Sequence, residues 1–134
     1  MKIVIDSNKV IAALLKDSTT RTLLFNKHFE FIVPSYIFSE IIKYQDYVIK
    51  KLGINNEEFE ILLKLIFENI KIIPELEYNK FNNKFEKNIK DYSDIPYLAV
   101  CVSTNAKGIW THDVHFKQQD KVKVYTNTDL IKLS

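Results

Sequence analysis

Short runs of β-branched and other apolar residues alternate along the chain with longer segments in which apolar residues recur every three to four positions. The runs predict strands over residues 3–5, 29–33, 70–73, 108–110 and 122–125. The periodic segments predict helices over residues 10–15, 20–26, 35–52, about 56–67, about 77–88, 98–102 and 129–133. Parallel neighbouring strands need crossover connections, so helices between successive strands are typical of a parallel sheet covered on both faces. The sequence therefore predicts an α/β fold with three α/β/α layers around a mainly parallel sheet of four to five strands.

The length and composition indicate one globular unit. A chain of 134 residues is about one domain long, and it contains no internal repeat and no low-complexity linker. Hydrophobic residues make up 46% and charged residues 27%, which is typical of a folded globular protein and excludes the disordered and fibrous classes. We expect a single domain over residues 1–134.

The apolar segments and the cysteine content bear on the compartment. The longest apolar runs are interrupted well short of the ~20 residues that a membrane span needs. The apolar run within the first eight residues is too short for the apolar core of a secretory signal. Cys101 is the only cysteine, so no internal disulfide can form. We expect a cytoplasmic protein with no membrane association. Its net charge of +2 neither indicates nor excludes a nucleic-acid partner.

Polar residues follow two of the predicted strands. The first strand ends at Asp6, which precedes Ser7 and Asn8, and the strand over 108–110 is followed by Thr111, His112 and Asp113. In a parallel α/β sheet, ligands bind at the carboxyl ends of the strands, beside the point where the strand order reverses. These two clusters are therefore predicted to share one edge. His112 and His115 beside Asp113 raise the alternatives of a histidine metal site, an acid–base pair and a solvated loop.

Two more acids fall at helix starts. Glu40 lies one turn into the helix that follows the second strand, and Asp94 opens the apolar helix that leads to the fourth. Each has an ordinary explanation as a cap or a partner of the helix dipole, and Asp91 is suited to cap the turn that contains Asp94. Several carboxylates at one edge would repel each other unless a cation neutralised them. Oxygen ligands without cysteine favour Mg²⁺ or Mn²⁺, the ions of phosphodiester hydrolysis.

At these positions the chain resembles the PIN-domain nucleases, the superfamily that includes the toxins of VapBC toxin-antitoxin modules. The resemblance covers essentially the whole chain and rests on four motifs in order. They stand here as Ile3-Val4-Ile5-Asp6-Ser7-Asn8, Val33-Pro34-Ser35 followed by Glu40, Asp94-Ile95-Pro96-Tyr97-Leu98-Ala99, and Thr111-His112-Asp113-Val114-His115-Phe116. Each motif alone is weak, and four at compatible spacing are strong.

The resemblance implies roles for particular residues. Asp6, Glu40, Asp94 and Asp113 would form the acidic metal site, with Asn8 and Thr111 in support and Asp91 as a neighbour. The resemblance implies no metal-ligand role for His112 and His115, which leaves contact with substrate or simple solvation, and solvation is the favoured interpretation. Family members have a three-layer α/β/α fold, cleave RNA or single-stranded nucleic acid, and often form homodimers.

The resulting hypothesis is an endoribonuclease dependent on Mg²⁺ or Mn²⁺, acting as a VapBC-type toxin with an antitoxin partner and forming a homodimer. A PIN-domain nuclease of RNA processing and a catalytically silent subunit that binds RNA or protein are alternatives within the family. A receiver-like binding module is an alternative from another class. Receivers need a phosphoacceptor aspartate after a central strand, whereas the strands ending at Val33 and Ile73 run into proline here.

Overall fold

The computed structural model describes residues Met1–Ser134 and contains five strands and seven α-helices. The strands are β1 (Lys2–Ile5), β2 (Glu30–Pro34), β3 (Ile70–Ile73), β4 (Ile109–Trp110) and β5 (Val124–Tyr125). The helices are α1 (Ser7–Leu14), α2 (Ser18–Leu24), α3 (Ile37–Leu52), α4 (Asn56–Phe67), α5 (Glu75–Tyr78), α6 (Ile95–Ser103) and α7 (Asn127–Leu133). Short 3₁₀ segments cover Asn79–Lys84, Tyr92–Asp94 and Val114–Gln118.

All five strands are parallel, in the order β3-β2-β1-β4-β5. The chain builds the sheet outward from β1 to β3 and then returns to add β4 and β5 on the other side of β1. The strand order therefore reverses between β1 and β4, which pair with Val4 opposite Ile109. Receivers instead have the strand order 2-1-3-4-5, so the topology excludes that alternative.

Helices cover both faces of this sheet. On one side α1 packs against α2, α3 and α4, and on the other α6 packs against β1, β2 and β4 together with α5. The strands read as continuous apolar runs because both faces are buried, and 35 buried residues form one hydrophobic cluster. The three-layer α/β/α fold expected from the sequence is confirmed. None of the helices has the length and apolar character that crossing a membrane would require.

The segment over residues 77–88 does not form the continuous helix that the sequence predicts. Helix α5 ends at Tyr78, and a 3₁₀ segment and turns follow it. The segment is rich in asparagine, whose amide competes with the backbone for hydrogen bonds and disfavours a regular helix. It is held in place by its buried aromatic residues, since Tyr78 and Phe85 are both buried in the core cluster.

Helix α3 begins one residue later than expected from Ser35, a residue type that favours the N-cap position and that the sequence suggests as the N-cap. Ser35 does not cap it, because the Ser35 backbone N–H donates to the Ile73 carbonyl at 2.9 Å and so extends the pairing of β2 with β3. Tyr36 stands at the N-cap position without a side-chain capping bond. At the other end, Gly53 terminates α3 in the left-handed conformation, which glycine adopts readily at helix ends. This start sets the position of Glu40 within the first turn.

Gly108 provides a test of the packing between β4 and β5. A β-carbon at this position would lie 2.3 Å from the Lys123 carbonyl oxygen and 2.5 Å from the Tyr125 ring. We expect Gly108→Ala to lower the free energy of unfolding by about 1–3 kcal/mol, because backbone must move to admit the methyl group. Urea unfolding measures this change. The control is Gly53→Asn, where nothing lies within 4 Å and asparagine tolerates the left-handed backbone. Equal unfolding midpoints for Gly108→Ala and wild type would contradict the packing described.

Candidate metal centre

A hydrogen-bonded link between Asp6 and Thr111 lies where the strand order reverses. Asp6 directly follows β1 and Thr111 directly follows β4, and both are buried. The Thr111 hydroxyl donates to Asp6 Oδ2 at 2.7 Å, and the Asp113 backbone N–H donates to the Thr111 Oγ1 at 2.9 Å. Thr111 thus fixes the Asp6 carboxylate and begins the turn that carries Asp113.

Glu40 joins the same edge through hydroxyl groups. The Tyr97 hydroxyl donates to Glu40 Oε1 at 2.5 Å, and the Ser7 hydroxyl lies 3.4 Å from Glu40 Oε2 and 3.5 Å from Asp6 Oδ1. Tyr97 belongs to α6 and is almost fully buried, so its ring is a fixed support for the carboxylate. Ser7 bridges the two carboxylates, which places Asp6 and Glu40 in one polar network.

Asp94 is the least satisfied acid of the site. It stands at the N-cap of α6, with Pro96 in the first turn, and only 8% of the residue is exposed. Its Oδ2 atom is buried and makes no hydrogen bond. A ligand atom of Asp94 lies within 4.8 Å of one from Asp113 and one from His115. The structure therefore gathers Asp94, Asp113 and His115 in one cluster and joins Asp6 and Glu40 in the adjoining network.

Burial makes ionisation of three of these acids unfavourable. The pKa of Asp94 is raised to about 7, first by burial and then by the neighbouring carboxylates, with Asp91 foremost among them. Burial also raises the pKa of Asp6, against the hydrogen bond from Thr111, and the pKa of Glu40, against the hydrogen bond from Tyr97. No lysine or arginine forms a salt bridge with these carboxylates, and the one basic side chain within salt-bridge distance of the cluster is His115, whose Nδ1 lies 3.3 Å from Asp113 Oδ1.

This donor set fits a divalent cation. A buried carboxylate oxygen without a partner is costly, and a metal ion would supply the missing interaction. Carboxylate oxygens are the ligands that Mg²⁺ and Mn²⁺ prefer. A cation there would also offset the burial and the carboxylate repulsion that together raise the pKa of Asp94. Among the acids, Asp94 and Asp113 have ligand atoms close enough to bind one ion, and Asp6 lies near them.

The other residues singled out from the sequence lie at the rim. Asn8, His112 and Asp91 are exposed. Asp91 caps the 3₁₀ turn that contains Asp94, since its Oδ1 accepts from the Ser93 backbone N–H at 3.0 Å and from the Ser93 hydroxyl at 2.7 Å. These hydrogen bonds lower the pKa of Asp91. Asp91 is thus occupied by its own turn, in line with the capping role considered for it.

The sequence pointed to Thr111 as a supporting residue, but it did not point to Tyr97 or Ser7, whose hydroxyl groups also contact the carboxylates. Tyr97 lies three residues after Asp94 on the same helix, and residues at that spacing face the same side, so the helical period could have identified it. Ser7 follows Asp6 directly but looks like an ordinary helix-start residue. The contact of His115 with Asp113 depends on the turn after β4, which no periodicity indicates.

Lys9 is a buried lysine near this edge, but it binds Asn127 and does not pair with the carboxylates. Its Nζ donates to Asn127 Oδ1 at 3.0 Å and lies 5.5 Å from the centre of the Trp110 ring, while Trp110 Nε1 donates to the same Asn127 oxygen at 2.8 Å. Burial lowers the pKa of Lys9. The lysine therefore connects α1 to the start of α7 behind the site.

The fold and this cluster define an α/β/α domain with an acidic candidate metal centre at the carboxyl edge of its sheet. Comparison with family models agrees, since the PIN domain model matches residues 4–127. The chain belongs to the PIN domain family. The search of curated proteins found no significant match.

Two solved structures have the same fold. One is VapBC-1 from nontypeable Haemophilus influenzae, with a TM-score of 0.65 and 20% identity over 96% of this chain and 99% of that one. The other is VapBC2 from Rickettsia felis bound to a DNA fragment from their promoter, with a TM-score of 0.65 and 16% identity over 94% of this chain and 98% of that one. At these identities the likeness establishes the fold.

Replacement of Asp94 by asparagine tests the electrostatic cost of the cluster. Because the folded-state pKa is raised, the folded protein binds a proton that the unfolded chain has lost, and wild-type stability falls as pH rises from about 4 through 7. Asp94→Asn removes this loss. In EDTA we expect the variant to be more stable than wild type by on the order of 2 kcal/mol at pH 8 and equally stable at pH 4. Urea unfolding across this pH range measures the difference.

The exposed Asp120 supplies the matched control, because Asp120→Asn makes the same chemical change away from the cluster. Its stability should follow the wild-type pH profile. A profile for Asp94→Asn that runs parallel to wild type would show that Asp94 carries no such cost.

Proposed function

We propose that the protein is a metal-dependent endoribonuclease that hydrolyses phosphodiester bonds in RNA, and that residues 1–134 form one PIN domain. The observation that carries the proposal is the buried, unpartnered carboxylate of Asp94 beside Asp113 and Asp6, at the point where the strand order reverses. Membership of the PIN domain family supports it. RNA is the substrate class that the family resemblance implies.

In this proposal Asp6, Asp94 and Asp113 hold Mg²⁺ or Mn²⁺. Glu40 holds a second ion or orients the attacking water, and the Tyr97 hydroxyl fixes its position. When bound, such an ion binds phosphate oxygens and lowers the pKa of a coordinated water. Thr111 keeps the Asp6 carboxylate in place through its hydrogen bond. Asn8, exposed beside Asp6, is a supporting group at the substrate side.

Side chains on α3 supply a surface for the substrate. Tyr44 and Tyr47 are exposed one and two turns beyond Glu40, and Lys43 and Lys50 are exposed on the same helix. Aromatic rings stack on bases with little sequence preference, and lysines neutralise phosphates. Such a surface supports binding of a single strand with its backbone near the carboxylates.

The nuclease activity is tested with the purified chain and a fluorescent single-stranded RNA. We expect cleavage with Mn²⁺ or Mg²⁺ and none in EDTA. Asp6→Asn and Asp113→Asn should each lower the rate at least about a hundredfold, because each removes a charged ligand, whereas Asp120→Asn should cut at the wild-type rate. Unfolding curves confirm that the variants are folded.

Two outcomes would overturn the proposal. If Asp6→Asn and Asp113→Asn cut RNA as fast as wild type with Mn²⁺ present, the mechanism is wrong. If the folded wild type binds RNA in the presence of either ion but leaves it intact, the catalytically silent binding subunit becomes the correct assignment.

We propose further that this nuclease is a cytoplasmic toxin of the VapBC type, with a protein antitoxin as partner and a homodimer as its assembly. Both structures described above are VapBC proteins, which supports a toxin with an antitoxin. Exposed apolar side chains on α4, Ile61 and Leu65, border a groove of about 340 Å³ with Leu52 and Ile54. Exposed apolar surface of this kind favours a protein contact.

Controlled expression tests the toxin assignment. We expect induction of the chain alone to arrest growth of the host cells, and Asp113→Asn to abolish the arrest, because the effect requires RNA cleavage. Coexpression of the adjacent reading frame should restore growth and yield a copurifying complex. An active nuclease that leaves growth unaffected would favour the alternative of RNA processing.

A further inference from the structure

We propose that His115 is a ligand of the bound metal ion through its Nδ1 atom, so that the centre has mixed oxygen and nitrogen coordination and prefers Mn²⁺ to Mg²⁺. The inference rests on the proposed metal dependence and adds a residue that the acidic pattern does not contain. It also reverses the solvated interpretation that the sequence favoured for this histidine.

The turn after β4 sets the position of the imidazole. Asp113 is the N-cap of the 3₁₀ segment Val114–Gln118, and its Oδ1 accepts from the His115 backbone N–H at 2.9 Å. This bond brings the two side chains to the same side of the turn, with Nδ1 3.3 Å from Oδ1. Phe116, fully buried, anchors the next residue and so limits the movement of the turn.

The distance between Nδ1 and Oδ1 suits two ligands of one ion. Adjacent ligands of an octahedral ion with bonds of about 2.1 Å are roughly 3 Å apart, close to the separation observed. A ligand atom of Asp94 completes the group, since all three atoms lie within 4.8 Å of one another. The histidine side chain is 59% exposed, whereas Asp94 is buried, so the group spans the boundary between solvent and the interior.

The Asp94 carboxylate distinguishes a metal site from a simple ion pair. A contact between His115 and Asp113 alone leaves the buried Oδ2 of Asp94 without a partner. A cation held among the three side chains satisfies Asp94 and uses the lone pair of Nδ1 at the same time. His112, the other histidine of the turn, is exposed and is not part of this group.

An imidazole ligand changes the choice of ion. Mg²⁺ binds oxygen almost exclusively in proteins, whereas imidazole favours transition metals. Replacement of one carboxylate or water by Nδ1 therefore raises affinity for Mn²⁺ relative to Mg²⁺. We expect His115→Gln to weaken Mn²⁺ binding at least about tenfold and to change Mg²⁺ binding less than about threefold.

Pulsed electron paramagnetic resonance of the full chain loaded with Mn²⁺ tests the bond directly. We expect the spectrum of wild type to contain the modulation of a directly bonded imidazole nitrogen, and His115→Gln to lack it. His112→Gln is the matched control and should retain it, because it removes the neighbouring histidine of the same turn. Calorimetric titrations with Mn²⁺ and with Mg²⁺ give the two affinities for each protein.

The results decide between the claims. Nitrogen modulation that is absent from Mn²⁺-loaded wild type, or that persists in His115→Gln, overturns the assignment of His115. Modulation that depends on His115 in a protein that cuts no RNA supports the ligand and overturns the proposed function instead. Efficient RNA cleavage without nitrogen modulation supports a nuclease whose metal ion has oxygen ligands alone. Failure to bind either Mn²⁺ or Mg²⁺ overturns both proposals.

Discussion

Repulsion among carboxylates at one edge of the sheet is the constraint to which the rest of the site responds. Burial and neighbouring negative charge oppose ionisation of Asp94, and the same effects act on Asp6 and Glu40. The protein compensates with neutral donors, since threonine and tyrosine hydroxyls hold Asp6 and Glu40. Hydroxyl groups orient a carboxylate without cancelling its charge, so the negative charge that would attract a cation is kept. Arginine or lysine partners would have stabilised the domain more and left less negative charge for a metal ion.

The sheet makes this crowding tolerable. Because β1 and β4 are central and parallel, their carboxyl ends lie side by side, and the residues that follow them emerge at the reversal of strand order. The cost of the site is local, while the 35-residue apolar cluster beneath it supplies the stability of the fold. Trp110 illustrates the arrangement, since it is fully buried in the core next to Thr111, which holds Asp6.

The sequence predicted the sheet well because buried parallel strands leave an unmistakable pattern, and the acids at strand ends follow from that topology. Asp6 and Asp113 are examples, each placed by the strand before it. The pattern was weaker where side-chain hydrogen bonds decide the structure, as in the asparagine-rich segment after Tyr78, which forms turns instead of a helix. Particular hydrogen-bond partners far apart in the chain were not predicted. The spacing from Asp94 indicates the side of α6 on which Tyr97 lies, but it does not indicate Glu40, 57 positions away, as its partner.

Helix α6 carries two of the groups that meet at this edge, Asp94 at its N-cap and Tyr97 within its first turn. A rigid helix moves both by the same displacement. A slight slide of α6 along the sheet would therefore alter the carboxylate facing Asp113 and the support of Glu40 together. Asp94 and Tyr97 therefore move together with α6. Substitutions in the buried part of this helix, at Leu98 or Val100 for instance, can change the positions of both groups at once although neither residue is a carboxylate.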